Sequence, residues 1–291
     1  MILFISITIL FLALLYSFEI FKDYSIIKIV SVLLGGFVFY ALLYNVTYNS
    51  DWDMYDAIFM GHTESGDMLF NLIAQSFAAK GYDYSSVYKL HIFLMSIGFF
   101  YFASRNTYSN VFSIISTYLI FQIIPVSNQI RYYLAFSFFL IAIYNLIVSK
   151  NKLVFFVFGL LSFISHSAIL LFYPFIYIYY FTNDESYVRK LILYSFILAG
   201  FFYFISFLKF IFDFHFGAYF EDDFLSSFSG GLFNNLIWVF WFYFIYRVNK
   251  RLLSINSSLI ESDVKYQFFY KLSLYSIIFL PVSIVLQVLA H

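Results

Sequence analysis

The sequence predicts an all-α fold: a polytopic helical integral membrane protein of about ten membrane segments, with a large outer loop between spans two and three. Three observations predict it. Apolar residues make up 63% of the 291 and charged residues only 11%, and mean hydropathy is +0.86. A soluble domain carries about 25% charged residues. Apolar windows long enough to cross a bilayer, or nearly so, recur along the whole chain. The few cations also divide unevenly between the two sides that alternating crossings define. The excess of 44 Phe and 28 Tyr fits lipid-facing positions filled with available apolar residues better than an aromatic sugar platform. With zero Cys there are no disulfides and no thiolate chemistry. No CxxC, HExxH, P-loop or GxGxxG occurs, so structural zinc, zincin, ATPase and Rossmann chemistries lack their sequence basis.

The windows are taken in chain order. Residues 2–21 are apolar, but no basic region precedes them and Lys22 follows. They are therefore expected to stay as a span with the N-terminus outside, not to act as a cleaved signal peptide. Further windows lie at 26–46, 87–103, 108–124, 131–148, 153–181, 189–208, 232–248 and 267–290. The stretch 153–181 is too long for one comfortable span and is interrupted by Ser165-His166-Ser167. Read as a hairpin broken near His166, it places twelve of the sixteen cations inside and leaves Lys80, Lys89, Arg131 and Lys209 outside. Read as one span, it inverts every later loop and leaves six cations inside against ten outside. The positive-inside bias selects the hairpin. With ten acids outside and six inside, the outer face is then net −6 and the inner face +6. The expected organisation is a single transmembrane domain over 1–291, both termini outside, with outer loops at 47–86 and 209–231.

The 47–86 insert holds Asp51, Asp53, Asp56, Glu64, Asp67 and Asp83 against one cation, Lys80. Asp51 and Asp53 flank Trp52, and Tyr55 follows Asp51 at the spacing that shares a helix face. If SDWDMYDAIF begins a helix, Ser50 or Asp51 is a good N-cap and the acids suit its N-terminus, which is the competing structural reading. Downstream, FNLIAQSFAA reads as an amphipathic stretch at the outer interface. His62 and the loop acids other than Asp51, Asp53 and Glu64 read as solvated.

Arg131 opens span five in PVSNQIRYYLAFSF, on the side where cations are disfavoured. Its guanidinium is always charged and offers a planar fork that suits phosphate or carboxylate oxygens. The competing reading is an interfacial Arg snorkelling to headgroups. His166 sits at the break in FISHSAILLFYP. It either carries chemistry as an intramembrane ionisable group or caps the broken helix. The run Glu221-Asp222-Asp223, with Asp213 and His215 nearby, offers clustered oxygens to a divalent cation or is a solvated charge run.

The order of these motifs resembles the EpsG-like family, Wzy-type polymerases of capsular polysaccharide, exopolysaccharide or O-antigen. The outer SDxxxY-type loop, the E-x-G-x-x-L-F segment, the IR-x-x-x-A span and the FxSHSA-type break follow one another over residues 45–180. Two departures mark the match. Tyr132 stands where a basic residue is usual, and the chain closes on VSIVLQVLAH at the end of a span where members often continue. The resemblance implies that undecaprenyl-pyrophosphate-linked oligosaccharide repeat units are joined at the outer face of the bacterial cytoplasmic membrane. It implies Asp51 or Glu64 as the base for the acceptor hydroxyl and His166 as an orienting donor or second phosphate contact. Arg131 would hold the pyrophosphate, with Tyr55 and Asp53 binding substrate. No metal, nucleotide or other cofactor is required, because the lipid pyrophosphate is already an activated leaving group. Membrane lipid, flippase and chain-length regulator proteins are the implied partners, and no nucleic acid is expected. The alternatives are a lipid-linked oligosaccharide flippase, a membrane O-acyltransferase, or a scaffold without activity.

Overall fold

The computed structural model describes residues 25–49, 51–62, 65–105, 123–181, 184–208 and 263–279, with isolated positions between 236 and 254. Among the described residues the regular structure is entirely helical. The chain divides into two compact units, Met1–Tyr173 and Pro174–His291.

In the first unit, α1 (Ser25–Tyr44) precedes two short helices, α2 (Trp52–Phe59) and α3 (Met68–Ala78), which form much of the acidic insert. α4 (Tyr84–Arg105), α5 (Ile123–Asn128), α6 (Ile130–Ile147) and α7 (Lys152–Ser165) follow. Packing runs α1 on α4, α4 on α6 and α6 on α7, so α6 is the central helix and most of its side chains are buried. α6 is the helix among the described residues long and apolar enough to cross a membrane; α7 and part of α1 are shorter apolar helices.

The polarity of α7 is turned outward. Leu153, Phe156, Leu160 and Phe163 are exposed, while Gly159, Ser162 and Ser165 are buried. A helix in water would bury the first set. Small residues facing neighbours and large apolar ones facing outward are the pattern of a helix in lipid. Ser162 Oγ donates to the Ala135 carbonyl at 2.8 Å, joining α7 to α6. At the α4–α6 contact a Cβ on Gly98 would lie 2.7 Å from Ser137 Oγ and 2.9 Å from its Cβ, so only glycine permits this approach.

The short helices end by shared chemistry. Gly61 (φ +75°) and Gly81 (φ +76°) adopt the left-handed conformation just past α2 and α3. The next residues, His62 and Tyr82, donate N–H to the carbonyls of Ala57 and Phe77 at 2.9 and 3.1 Å. These are Schellman ends, and the second carries its expected apolar contact, Phe77 against Tyr82 at 5.4 Å. The expected interruption of 153–181 falls at His166. α7 stops at Ser165, His166 is extended (φ −164°, ψ 117°), and a 3-10 segment runs over Ser167–Phe172.

In the second unit, α8 (Pro174–Phe181), α9 (Asp184–Leu208) and α10 (Val264–Tyr275) are described. Phe175 packs edge-on against Phe268 and Tyr275, and Tyr187 Oη donates to the Lys271 carbonyl at 2.8 Å. The buried Lys271 ammonium lies 5.0 and 5.4 Å from the ring centres of Tyr179 and Tyr187. The outer loop expected at 209–231, with its acidic run, lies outside the described residues.

Candidate functional site

Three helix ends of the first unit meet at one carboxylate. Asp67 precedes α3, Arg131 is the second residue of α6, and His166 follows the last residue of α7. Arg131 Nη1 lies 2.7 Å from Asp67 Oδ2. His166 Nδ1 lies 3.0 Å from Asp67 Oδ1 and 3.1 Å from Oδ2. The guanidinium also donates from Nη1 to Ser65 Oγ at 2.6 Å, and Ser65 Oγ accepts from the Asp67 N–H at 3.1 Å. Asn71 Nδ2 donates to the Ser65 carbonyl at 2.8 Å, which fixes that turn to the first part of α3.

Local forces explain why each side chain points here. An Asp before a helix ordinarily caps it by accepting from the first-turn N–H groups. Asp67 makes no such side-chain bond; its carboxylate is turned to Arg131 and His166. Arg131 stands in the first turn of α6, where the helix dipole is positive and disfavours a cation. Asp67, only 5% exposed, supplies the opposing charge. His166 stands at the C-terminal end of α7, where unpaired carbonyls favour an N–H donor or cation. Its ring is held edge-on by Tyr132 at 6.0 Å and 88°. Tyr132, the neighbour of Arg131 in sequence, is thus an aromatic support for the histidine.

An aromatic floor lies beneath the guanidinium. The Arg131 Cζ is 4.7 Å from the Tyr55 ring centre and 5.5 Å from that of Phe70. Tyr55 is buried, and burial pushes its phenol above the ordinary tyrosine range while Arg131 beside it pulls partly back. Tyr84 stacks near Tyr55, and Trp52 meets Tyr84 edge-on at 4.8 Å.

The sequence-predicted residues divide accordingly. Tyr55, Arg131 and His166 come together around Asp67. Asp51 takes the position before α2 without a side-chain cap bond, and its N–H donates to Asn49 Oδ1 at 3.0 Å. Asn49 Nδ2 donates to the Ser127 carbonyl at 2.7 Å, tying the insert to α5. Asp53 is exposed and accepts from Tyr48 Oη at 2.9 Å, outside the contacts around Asp67. Glu64 and Ser50 lie outside the described residues. His62 is exposed, as a solvated residue should be. Asp67, expected to be a solvated loop acid, is instead the buried centre of the cluster, and Ser65 was not anticipated at all. The signal that could have found Asp67 is Arg131 itself, because a cation in the positive first turn of a helix is disfavoured and an opposite charge beside it offsets that cost. Among the described residues no group of three or more His, Cys, Asp or Glu is placed to hold a metal ion.

A helical membrane protein with a buried ionic cluster at its helix ends is the class these features define. The EpsG family model matches residues 28–291, nearly the whole chain, and the chain belongs to that family. No curated protein and no solved structure matches it. Family membership indicates a role in polysaccharide biosynthesis at a membrane.

Proposed function

We propose that the protein is a polysaccharide polymerase that joins undecaprenyl-pyrophosphate-linked repeat units at the outer face of the cytoplasmic membrane. The observation that carries this reading is the convergence of Arg131 and His166 on Asp67 across 64 and 99 residues of sequence. A buried ionic cluster is costly to keep and is not a general route to stability. Its place at three helix ends, beside an acid-rich insert, suits a substrate with an anionic leaving group and neutral sugars.

In this reading Arg131 binds the pyrophosphate through directional N–H contacts. Asp67 offsets its charge, so recognition is short-range, and salt screens the repulsion from an outer face expected to be net −6 beyond about 10 Å. Tyr55 supports the guanidinium, and the 47–86 insert, with Asp51, Asp53 and Glu64, receives the sugars. The ten-segment topology, the outward site and a single transmembrane domain spanning both units belong to the same proposal.

The test is polymer-length profiling in a deletion strain complemented with single variants. Arg131→Ala is expected to accumulate in the membrane yet give single repeat units on the acceptor. Normal long polymer from that variant would overturn the assignment, and repeats trapped inside the cell would identify a flippase.

A further inference from the structure

We infer that His166 is the base for the acceptor hydroxyl and that Asp67 is the positioning residue that makes it one. The inference rests on the polymerase reading and moves the base away from Asp51 and Glu64. An ionised carboxylate only accepts hydrogen bonds, and both Asp67 oxygens lie within 3.1 Å of His166 Nδ1. The neutral imidazole therefore carries its proton on Nδ1, and the lone pair is on Nε2, the ring nitrogen on the far side from Asp67. The carboxylate cannot turn away, because Arg131 Nη1 holds Oδ2 at 2.7 Å and Ser65 fixes the Asp67 backbone. The ring cannot rotate easily either, because Tyr132 stands against it. Asp67 is buried, whereas the His166 side chain is 19% exposed and open to a partner.

The step balances without an added reagent. The hydroxyl oxygen of the incoming lipid-linked unit attacks the anomeric carbon of the growing chain, and a glycosidic C–O bond forms. The bond from that carbon to the pyrophosphate oxygen breaks, and its electron pair leaves on the lipid pyrophosphate beside Arg131. The hydroxyl proton passes to His166 Nε2 and from there to solvent.

Asp67→Asn tests the arrangement. The asparagine has one accepting oxygen, which the charged Arg131 claims, so its NH2 faces His166 Nδ1 and donates. The ring must then protonate on Nε2 and lose its base. Nitrogen NMR of full-length protein with labelled histidines, assigned with His166→Gln, should show His166 protonated on Nδ1 in the wild type and on Nε2 in Asp67→Asn. In membranes from the deletion strain, which supply their own lipid-linked units, Asp67→Asn should polymerise about 100-fold more slowly per folded protein. Asp67→Glu should recover much of that rate. A wild-type His166 protonated on Nε2, or full-rate polymerisation by Asp67→Asn, overturns the inference and leaves the polymerase reading standing. Equal polymer with and without the protein overturns both.

Discussion

Asp67 does two jobs that a single substitution would confuse. It neutralises a guanidinium in the first turn of α6, and it orients an imidazole at the end of α7. The first is a stability role, and removing one partner of a buried ion pair costs about 3–5 kcal/mol because the other charge is left uncompensated. Asp67→Ala is therefore expected to destabilise the protein more than Asp67→Ala combined with Arg131→Met, which removes both charges and keeps an apolar stem. Unfolding in detergent measures the difference, and additive losses would show that the two side chains are not energetically coupled. The arginine and the histidine were legible in the sequence because each broke a local expectation, a cation on the disfavoured side and a polar residue inside an apolar window. Asp67 broke none. An acid before an amphipathic helix is an ordinary cap, and nothing in the spacing shows that its carboxylate turns away to partners 64 and 99 residues later.

Elements were legible where a physical signal was local. The break at His166 and the amphipathic α3 with Phe70, Ile73 and Ala74 inward followed from composition and period, whereas Asp51, the cap expected at the start of α2, makes no side-chain cap bond. The α4–α6 contact was not legible, since nothing in the sequence marks Gly98 as a point of close approach between two helices. Gly98→Ala tests that contact. Alanine favours the helix by about 1 kcal/mol, but its Cβ meets both atoms of the Ser137 side chain at 2.7 and 2.9 Å. Rotating the serine cannot relieve the second contact, so overpacking of about 1–3 kcal/mol should outweigh the propensity gain. The thermal midpoint in detergent should fall for Gly98→Ala and recover when Ser137→Gly is added. A single variant as stable as wild type would mean that α4 and α6 can separate at this point without loss.

At the scale of the molecule, the chemistry depends on which side of the membrane holds the cluster. α6 is 18 residues long, about 27 Å at 1.5 Å per residue, close to the roughly 30 Å of a hydrocarbon core. Arg131 opens α6, and Ser149 lies just past its other end, so the two belong on opposite faces if α6 crosses. The charge bias puts Arg131 outside and the Lys150–Lys152 turn inside. The absence of cysteine makes this directly measurable, because any thiol introduced is the only one. His62 is exposed three residues before Ser65, and Ser149 is exposed in the turn before α7. Neither substitution adds a charge that would disturb the bias. His62→Cys in intact cells should react with a membrane-impermeant maleimide, and Ser149→Cys should react only after the membrane is opened. Reaction of both in intact cells would mean that α6 does not cross. The reverse pattern would place Asp67 and its partners on the cytoplasmic side, away from flipped lipid-linked repeats, and polymerisation at the outer face would then be untenable whatever the geometry of the cluster.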